Sequence, residues 1–92
     1  IIFLGNNLKT NSQTWVQKTS GTNQNLWGLE VISSNNAYVV GDQGTILFSS
    51  TGGNTWSAQT SGTTNYLNSI NFYNINLGWT AGENGTILKT TN

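Results

Sequence analysis

Apolar residues occur along the chain in short runs, and clusters of Gly, Asn, Ser and Thr separate one run from the next. Short runs rich in β-branched and aromatic residues predict β-strands, and no segment has helical periodicity. The predicted strands are Leu26–Ile32, Ala37–Gly41, Thr45–Ser49, Trp56–Thr60, Leu67–Tyr73, Gly78–Gly82 and Thr86–Thr90. Asp42-Gln43-Gly44 and Glu83-Asn84-Gly85 predict tight turns between strands, in which Gly takes a positive φ.

The pattern repeats itself when the chain is shifted by 41 residues, the distance from Trp15 to Trp56. With this shift Gly44-Thr45-Ile46-Leu47 falls on Gly85-Thr86-Ile87-Leu88. Repeats of about 40–45 residues with four short strands are typical of β-propeller blades. The two adjacent positions Ile-Leu point to opposite faces of a strand and are apolar in both copies. A sheet with two buried faces is what a blade between two other blades requires.

These observations predict an all-β fold, a β-propeller segment of about two four-stranded antiparallel blades. In this division residues 1–25 end a preceding blade, with a degenerate third strand in Ile1–Lys9 and a fourth strand at Thr14–Thr19. Residues 26–66 form one complete blade and the loop that follows it. Residues 67–92 form the first three strands of the next blade.

Two blades alone would leave apolar faces and strand edges exposed, which stable soluble proteins avoid. Two solutions are open. Either the chain is a segment of a longer propeller, which we expect, or identical chains close a ring. In such a ring Thr14–Thr19 of one copy would complete the open blade of the next. The expected partners are therefore the remaining blades or identical chains, with other proteins or glycans as further partners.

Charge and composition narrow the classes of function. Three lysines balance three carboxylates, so no basic surface is available for a nucleic acid. The chain has no Cys and no His, and we expect neither a metal nor another cofactor. No apolar run reaches the length of a membrane span, so we expect no membrane insertion. The uncharged surface, rich in hydroxyl and amide groups, is typical of secreted bacterial proteins and predicts a secreted, cell-surface or periplasmic location.

Two aromatic residues are the best candidates for ligand contacts. Trp27 and Tyr66 have Asn68 and Asn25 as their counterparts, so the repeat itself does not require an aromatic side chain there. Both lie where the channel-lining strand of a blade begins, near one rim. Asp42 and Glu83, in contrast, occupy one repeat position and are interpreted as turn residues that bind nearby backbone N–H groups.

No catalytic residues are predicted. The chain has no nucleophile–His arrangement, no metal-ligand cluster and no phosphate-binding loop. GDQG and GENG resemble glycine-rich loops only superficially, because each of them joins two strands rather than a strand and a helix. The chain is therefore expected not to be an enzyme.

The stretches GDQGTILFSSTGGNTW and GENGTILKTT resemble the repeat of photosystem II assembly-factor-like β-propellers, which also occurs in secreted bacterial proteins. The end of the first stretch is similar to the Asp-box of the bacterial neuraminidase repeat, S-x-D-x-G-x-T-W. This resemblance implies a toroidal fold and a structural hairpin away from any active site. The Asp-box-like residues are Ser49, Thr51 in the place of the Asp, Gly53, Thr55 and Trp56, with Trp15 from the earlier copy.

The expected function is that of a non-catalytic binding or structural scaffold in a secreted or cell-surface bacterial protein. One alternative is a carbohydrate-binding propeller in which Trp27 and Tyr66 contact the sugar. The other is a segment of a glycosidase whose catalytic residues lie in blades outside this chain. Enzymes with the Asp-box hold a substrate carboxylate with arginines, and this chain has no Arg.

Overall fold

A computed structural model describes residues 13–91, which form seven β-strands in two sheets. Sheet 1 consists of β1 to β4 and sheet 2 of β5 to β7, each in chain order. The strands are β1 (Leu26–Val31), β2 (Ala37–Gly41), β3 (Ile46–Ser49), β4 (Ser57–Ala58), β5 (Leu67–Asn74), β6 (Leu77–Gly82) and β7 (Ile87–Thr90).

All neighbouring strands are antiparallel, and the two sheets repeat the same register. Leu26 pairs with Gly41 in sheet 1, and Leu67 pairs with Gly82 in sheet 2. Both glycines are required, because a Cβ on either would overlap the backbone of the residue that precedes the first strand of its sheet. The all-β fold is thus confirmed, with one four-stranded and one three-stranded antiparallel sheet.

The turns that follow β2 and β6 are equally alike. In the first, the N–H of Thr45 donates to the carbonyl of Asp42 at 3.0 Å, and both central residues have positive φ, 58° at Gln43 and 69° at Gly44. Two central residues with positive φ are typical of the type I′ turn, whose twist suits a β-hairpin. The sequence predicted the glycine in this conformation but not the glutamine.

The two sheets pack face to face. Tyr38 on β2 stacks on Phe72 of β5, with ring centroids 4.4 Å apart, and also contacts Phe48 on β3. Val40 and Leu67 are fully buried. Gly28 lies so close to the backbone of β5 that a Cβ there would come within 3.3 Å of the Asn68 carbonyl oxygen. The core therefore includes contacts between the two sheets, such as Tyr38–Phe72, and contacts between strands of one sheet, such as Tyr38–Phe48.

At four places the edges of the described part differ from the complete blades that the sequence predicts. Thr14–Thr19 form no strand, because within residues 13–91 no third strand of a preceding blade is present to pair with them. Trp15, predicted to pack in a hairpin, is exposed. Trp79, the counterpart of Tyr38 in the repeat, is half exposed because no sheet packs on that side of β6 in the described part. The strand predicted at Trp56–Thr60 shortens to β4.

The predicted third strand in Ile1–Lys9 lies outside the described residues. The division of the chain into blade segments stays a prediction.

Candidate functional site

Four side chains mark one end of the paired sheets, here called the rim: Trp27, Asp42, Tyr66 and Glu83. β1 and β5 begin at this end, and β2 and β6 finish there, as the pairs Leu26–Gly41 and Leu67–Gly82 show. Because β1 and β5 lie against each other, the two halves of the rim adjoin. The structure thus brings both predicted ligand-binding residues to one end of the fold.

Trp27 is held in place by a contact that the sequence analysis missed. Its indole Nε1 donates a hydrogen bond to Oδ1 of Asp42, across the first and second strands of sheet 1. The residue nevertheless remains 57% exposed. The prediction that Asp42 serves a backbone N–H is therefore wrong at this copy, since its partner is the indole. A fixed aromatic ring with an open surface is suited to stacking against a ligand.

The second half of the rim uses its carboxylate differently. The backbone N–H of Tyr66 donates to Oε1 of Glu83 at 2.9 Å, and the N–H of Glu83 donates to the carbonyl of Tyr66 at 3.0 Å. Here the carboxylate does bind a backbone N–H. The Tyr66 side chain is 45% exposed, so its ring adds to the rim surface without being fixed by the carboxylate.

The charges of the rim are both negative. The described residues include two lysines, Lys18 and Lys89. Lys18 Nζ donates a hydrogen bond to Asn54 Oδ1 at 2.9 Å, and Asn54 lies far from the rim, in the turn between β3 and β4. Lys89 lies over the Trp79 ring, 5.1 Å from its centroid. Neither neutralises the rim carboxylates. The rim therefore combines open aromatic surface with acceptor groups.

The turn between β3 and β4 is stabilised by its own side chains. The buried Ser49 Oγ accepts hydrogen bonds from the N–H groups of Gly53 at 2.9 Å and Thr51 at 3.3 Å. Thr51 Oγ1 accepts from the N–H of Thr55 at 2.9 Å, and Trp56 Nε1 donates to the Gly53 carbonyl at 2.9 Å. These bonds are all internal to the turn. They provide a structural staple rather than a ligand site, and Thr51 serves with its hydroxyl where the Asp-box has a carboxylate.

A cleft of about 510 Å³ lies between the two sheets, on the side of β3 and β7, and sequence analysis did not indicate it. Its lining includes the apolar or aromatic residues Tyr38, Ile46, Ile70 and Phe72 and the polar residue Gln59. Sequence could not show it because its walls come from two repeats whose separation is set by packing. Its lining is mixed, because polar side chains contribute as much of it as apolar ones.

Within residues 13–91 no group of three or more metal-ligating side chains occurs. The same part of the chain contains no helix long and apolar enough to cross a membrane.

Two sheets built from one sequence repeat and packed face to face define a β-propeller segment of the bacterial neuraminidase repeat (BNR) type. The family model for the photosynthesis system II assembly factor YCF48 matches residues 3–92. The chain therefore belongs to this YCF48 family.

One solved structure similar to this chain is described as "YCF48 bound to D1 peptide". It has 26% sequence identity and a TM-score of 0.70, and the match covers 79% of this chain. It covers only 25% of that structure's chain, so the present chain spans about a quarter of that relative. No curated protein matches the sequence.

Proposed function

We propose that this chain is part of a non-catalytic β-propeller that binds a segment of another protein at the rim. The observation that carries the proposal is the geometry of Trp27, whose ring is open to solvent while its indole nitrogen is fixed by Asp42. Because the ring is already oriented, little conformational entropy is lost when a ligand stacks on it.

The family membership supports a protein ligand. The similar solved structure is described as YCF48 bound to a D1 peptide, so that relative binds a peptide. Peptide segments present both apolar side chains and N–H groups, which complement open aromatic rings and carboxylate acceptors. The rim offers both, in the half with Trp27 and in the half with Tyr66.

The chain would perform this function within a larger ring of blades. Its exposed sheet faces and its short span relative to the similar structure support further blades or further copies around it. The uncharged surface supports a secreted or cell-surface location in a bacterium. Recovery of the protein in the cytosolic fraction of its source cells would contradict that location.

The test is a titration of the 92-residue chain with the D1 peptide, in which binding is measured by Trp fluorescence and by calorimetry. We expect Trp27→Ala to weaken binding about tenfold or more, because hot-spot aromatics typically contribute about 2 kcal/mol. Tyr73→Ala is the matched control, since this exposed aromatic lies near the other end of β5. Equal affinities of the Trp27→Ala variant and the unchanged chain would contradict the proposal.

A carbohydrate is the alternative ligand, because an exposed fixed indole also suits a sugar face. A glycan array decides between the two ligands. Glycan binding that Trp27→Ala removes, with no peptide binding by the unchanged chain, would replace the proposed function by a lectin-like one.

A further inference from the structure

The two aromatic positions of the rim are open in both copies of the repeat. Trp27 is exposed although sheet 2 packs against its sheet on one side. Its counterpart Asn68 is also exposed, although sheet 1 packs against that sheet from the opposite side. Tyr66 and its counterpart Asn25 are likewise both exposed. The two copies together have a neighbouring sheet on each side, so this exposure does not depend on whether more blades surround them.

The hydrogen bond to Asp42 determines which part of Trp27 a ligand contacts. Indole has one polar donor, the Nε1–H, and in Trp27 this group is bonded to Asp42 Oδ1. A ligand therefore contacts Trp27 through a face of the ring. That face carries the negative part of the ring quadrupole, which attracts cations. The carboxylate at the ring edge adds a full negative charge beside it.

The other polar groups of the rim do not neutralise this charge. The loops that lead into β1 and β5, residues 19–25 and 60–66, contain no charged residue. Glu83 adds a second carboxylate, of which Oε1 accepts a hydrogen bond from the Tyr66 N–H. The second oxygens, Asp42 Oδ2 and Glu83 Oε2, accept no hydrogen bond from any residue in 13–91. A cationic group thus has both an aromatic face and free acceptor oxygens at the rim.

The chain itself shows a cation in this geometry at another place. Lys89 Nζ lies over the Trp79 ring, 5.1 Å from its centroid. This distance is within the range of about 6 Å in which a cation and an aromatic face attract each other. Within residues 13–91 no such cation lies over Trp27, although Trp27 has the additional carboxylate at its edge.

We propose that the rim recognises a Lys or Arg side chain of its peptide ligand. The cationic group lies on the face of Trp27 and binds Asp42 Oδ2, while Glu83 adds to the negative potential around it. A neutral or acidic side chain gains nothing from these carboxylates. This inference rests on the proposed peptide-binding function and names the side-chain class that the site selects.

The test compares three peptides, acetyl-Gly-Gly-X-Gly-Gly-amide with Lys, norleucine or Glu at X. Norleucine is similar in shape to Lys but has no ammonium group. Each peptide is titrated into the ¹⁵N-labelled 92-residue chain, and the indole N–H signal of Trp27, assigned with Trp27→Phe, is followed by NMR. We expect the Lys peptide to bind about three- to tenfold more tightly than the norleucine peptide, and the Glu peptide to bind most weakly.

Two variants identify the carboxylate that is responsible. Asp42→Asn keeps an acceptor oxygen for the indole N–H but removes the charge. We expect it to lower the ratio of Lys to norleucine affinity about two- to fivefold. Glu30→Gln removes the same charge about 13 Å further along β1, beyond the Leu26–Gly41 pair, and should leave the ratio unchanged. The dispersion of the amide signals checks that both variants are folded.

Three results would overturn recognition of a cation. They are no binding of the Lys peptide, equal affinities for the Lys and norleucine peptides, and a ratio that Glu30→Gln lowers as much as Asp42→Asn does. Each is distinct from failure of the proposed function. That function fails when Trp27→Ala binds the D1 peptide as tightly as the unchanged chain, whatever the side-chain preference of the rim.

Discussion

The two sheets come from one sequence repeat, yet equivalent residues in them have different surroundings. Leu26 and Leu67 both begin the first strand of a sheet, but Leu26 is 39% exposed and Leu67 is fully buried. The difference arises because sheet 1 packs against the face of sheet 2 that carries Leu67, whereas no sheet covers the equivalent face of sheet 1 within residues 13–91. The same residue at the same repeat position therefore contributes to stability according to its neighbours.

The turns after β2 and β6 also differ in their packing, and here the copy in sheet 1 is the more closely packed one. Gly44 is buried against the loop before β5, and a Cβ there would overlap the carbonyl oxygen of Thr63. Gly85, its counterpart, has nothing within 4 Å of the position that a Cβ would occupy. Both have positive φ, 69° and 74°. Backbone conformation is thus common to both copies, while close packing is specific to the one with a following sheet.

The largest expected effect separates the two leucines. Leu67→Ala removes fully buried side-chain atoms and should lower the free energy of unfolding by about 2–5 kcal/mol. Leu26→Ala should cost about 1 kcal/mol or less, because much of its side chain is already in water. Urea denaturation at a concentration at which the chain is monomeric measures both. Similar losses for the two variants would contradict the different environments of the two sheets.

The glycine pair sharpens the comparison further. Gly85→Ala should cost about 1–2 kcal/mol through its left-handed backbone alone. Gly44→Ala carries the same strain and also forces the loop at Thr63 to move, which should add about 1–3 kcal/mol. Thermal unfolding of both variants gives the difference. A larger loss of stability for Gly85→Ala than for Gly44→Ala would contradict the close packing of Gly44 against the loop at Thr63.

The smallest expected effect concerns the other positive-φ residues, Gln43 and Asn84, with φ of 58° and 57°. Asn adopts the left-handed region more readily than Gln, because its short side chain can bond locally. Gln43→Asn should therefore raise the free energy of unfolding by about 0.5 kcal/mol, and Asn84→Gln should lower it by a similar amount. Opposite signs in chemical denaturation are the essential result, and equal signs would exclude this explanation.

Much of the fold could be predicted from the chain because its determinants are local. Ala37–Gly41 was predicted with its exact bounds, and the other strands of both sheets agree within one or two residues, apart from the fourth. The fourth strand was overestimated, since its length depends on how far β3 extends beside it. The strand at Thr14–Thr19 stays a prediction, because a strand exists only when a partner is present to receive its hydrogen bonds, and the predicted partner lies outside the described residues.

The candidate site was predictable only in part. Trp27 and Tyr66 were recognisable because each departs from its repeat counterpart, which frees it from a packing requirement. The role of Asp42 was not recognisable, because its bond to the indole joins two strands whose register is set by pairing. At its counterpart Glu83 the expected contact with a backbone N–H is present. Equivalent positions of the repeat thus have different partners, because the residues around them differ.

By itself the sequence determined the period of the repeat, the order of the strands, the turns between antiparallel strands and the net charge of zero. These follow from alternation of apolar residues, from glycine at positive φ and from composition, all of which act over a few residues. Only the tertiary structure decided which copy of each repeated residue is buried, which carboxylate fixes Trp27 and which faces stay open. Those features depend on contacts between residues far apart in the chain, and a periodic sequence assigns the same local preferences to both copies.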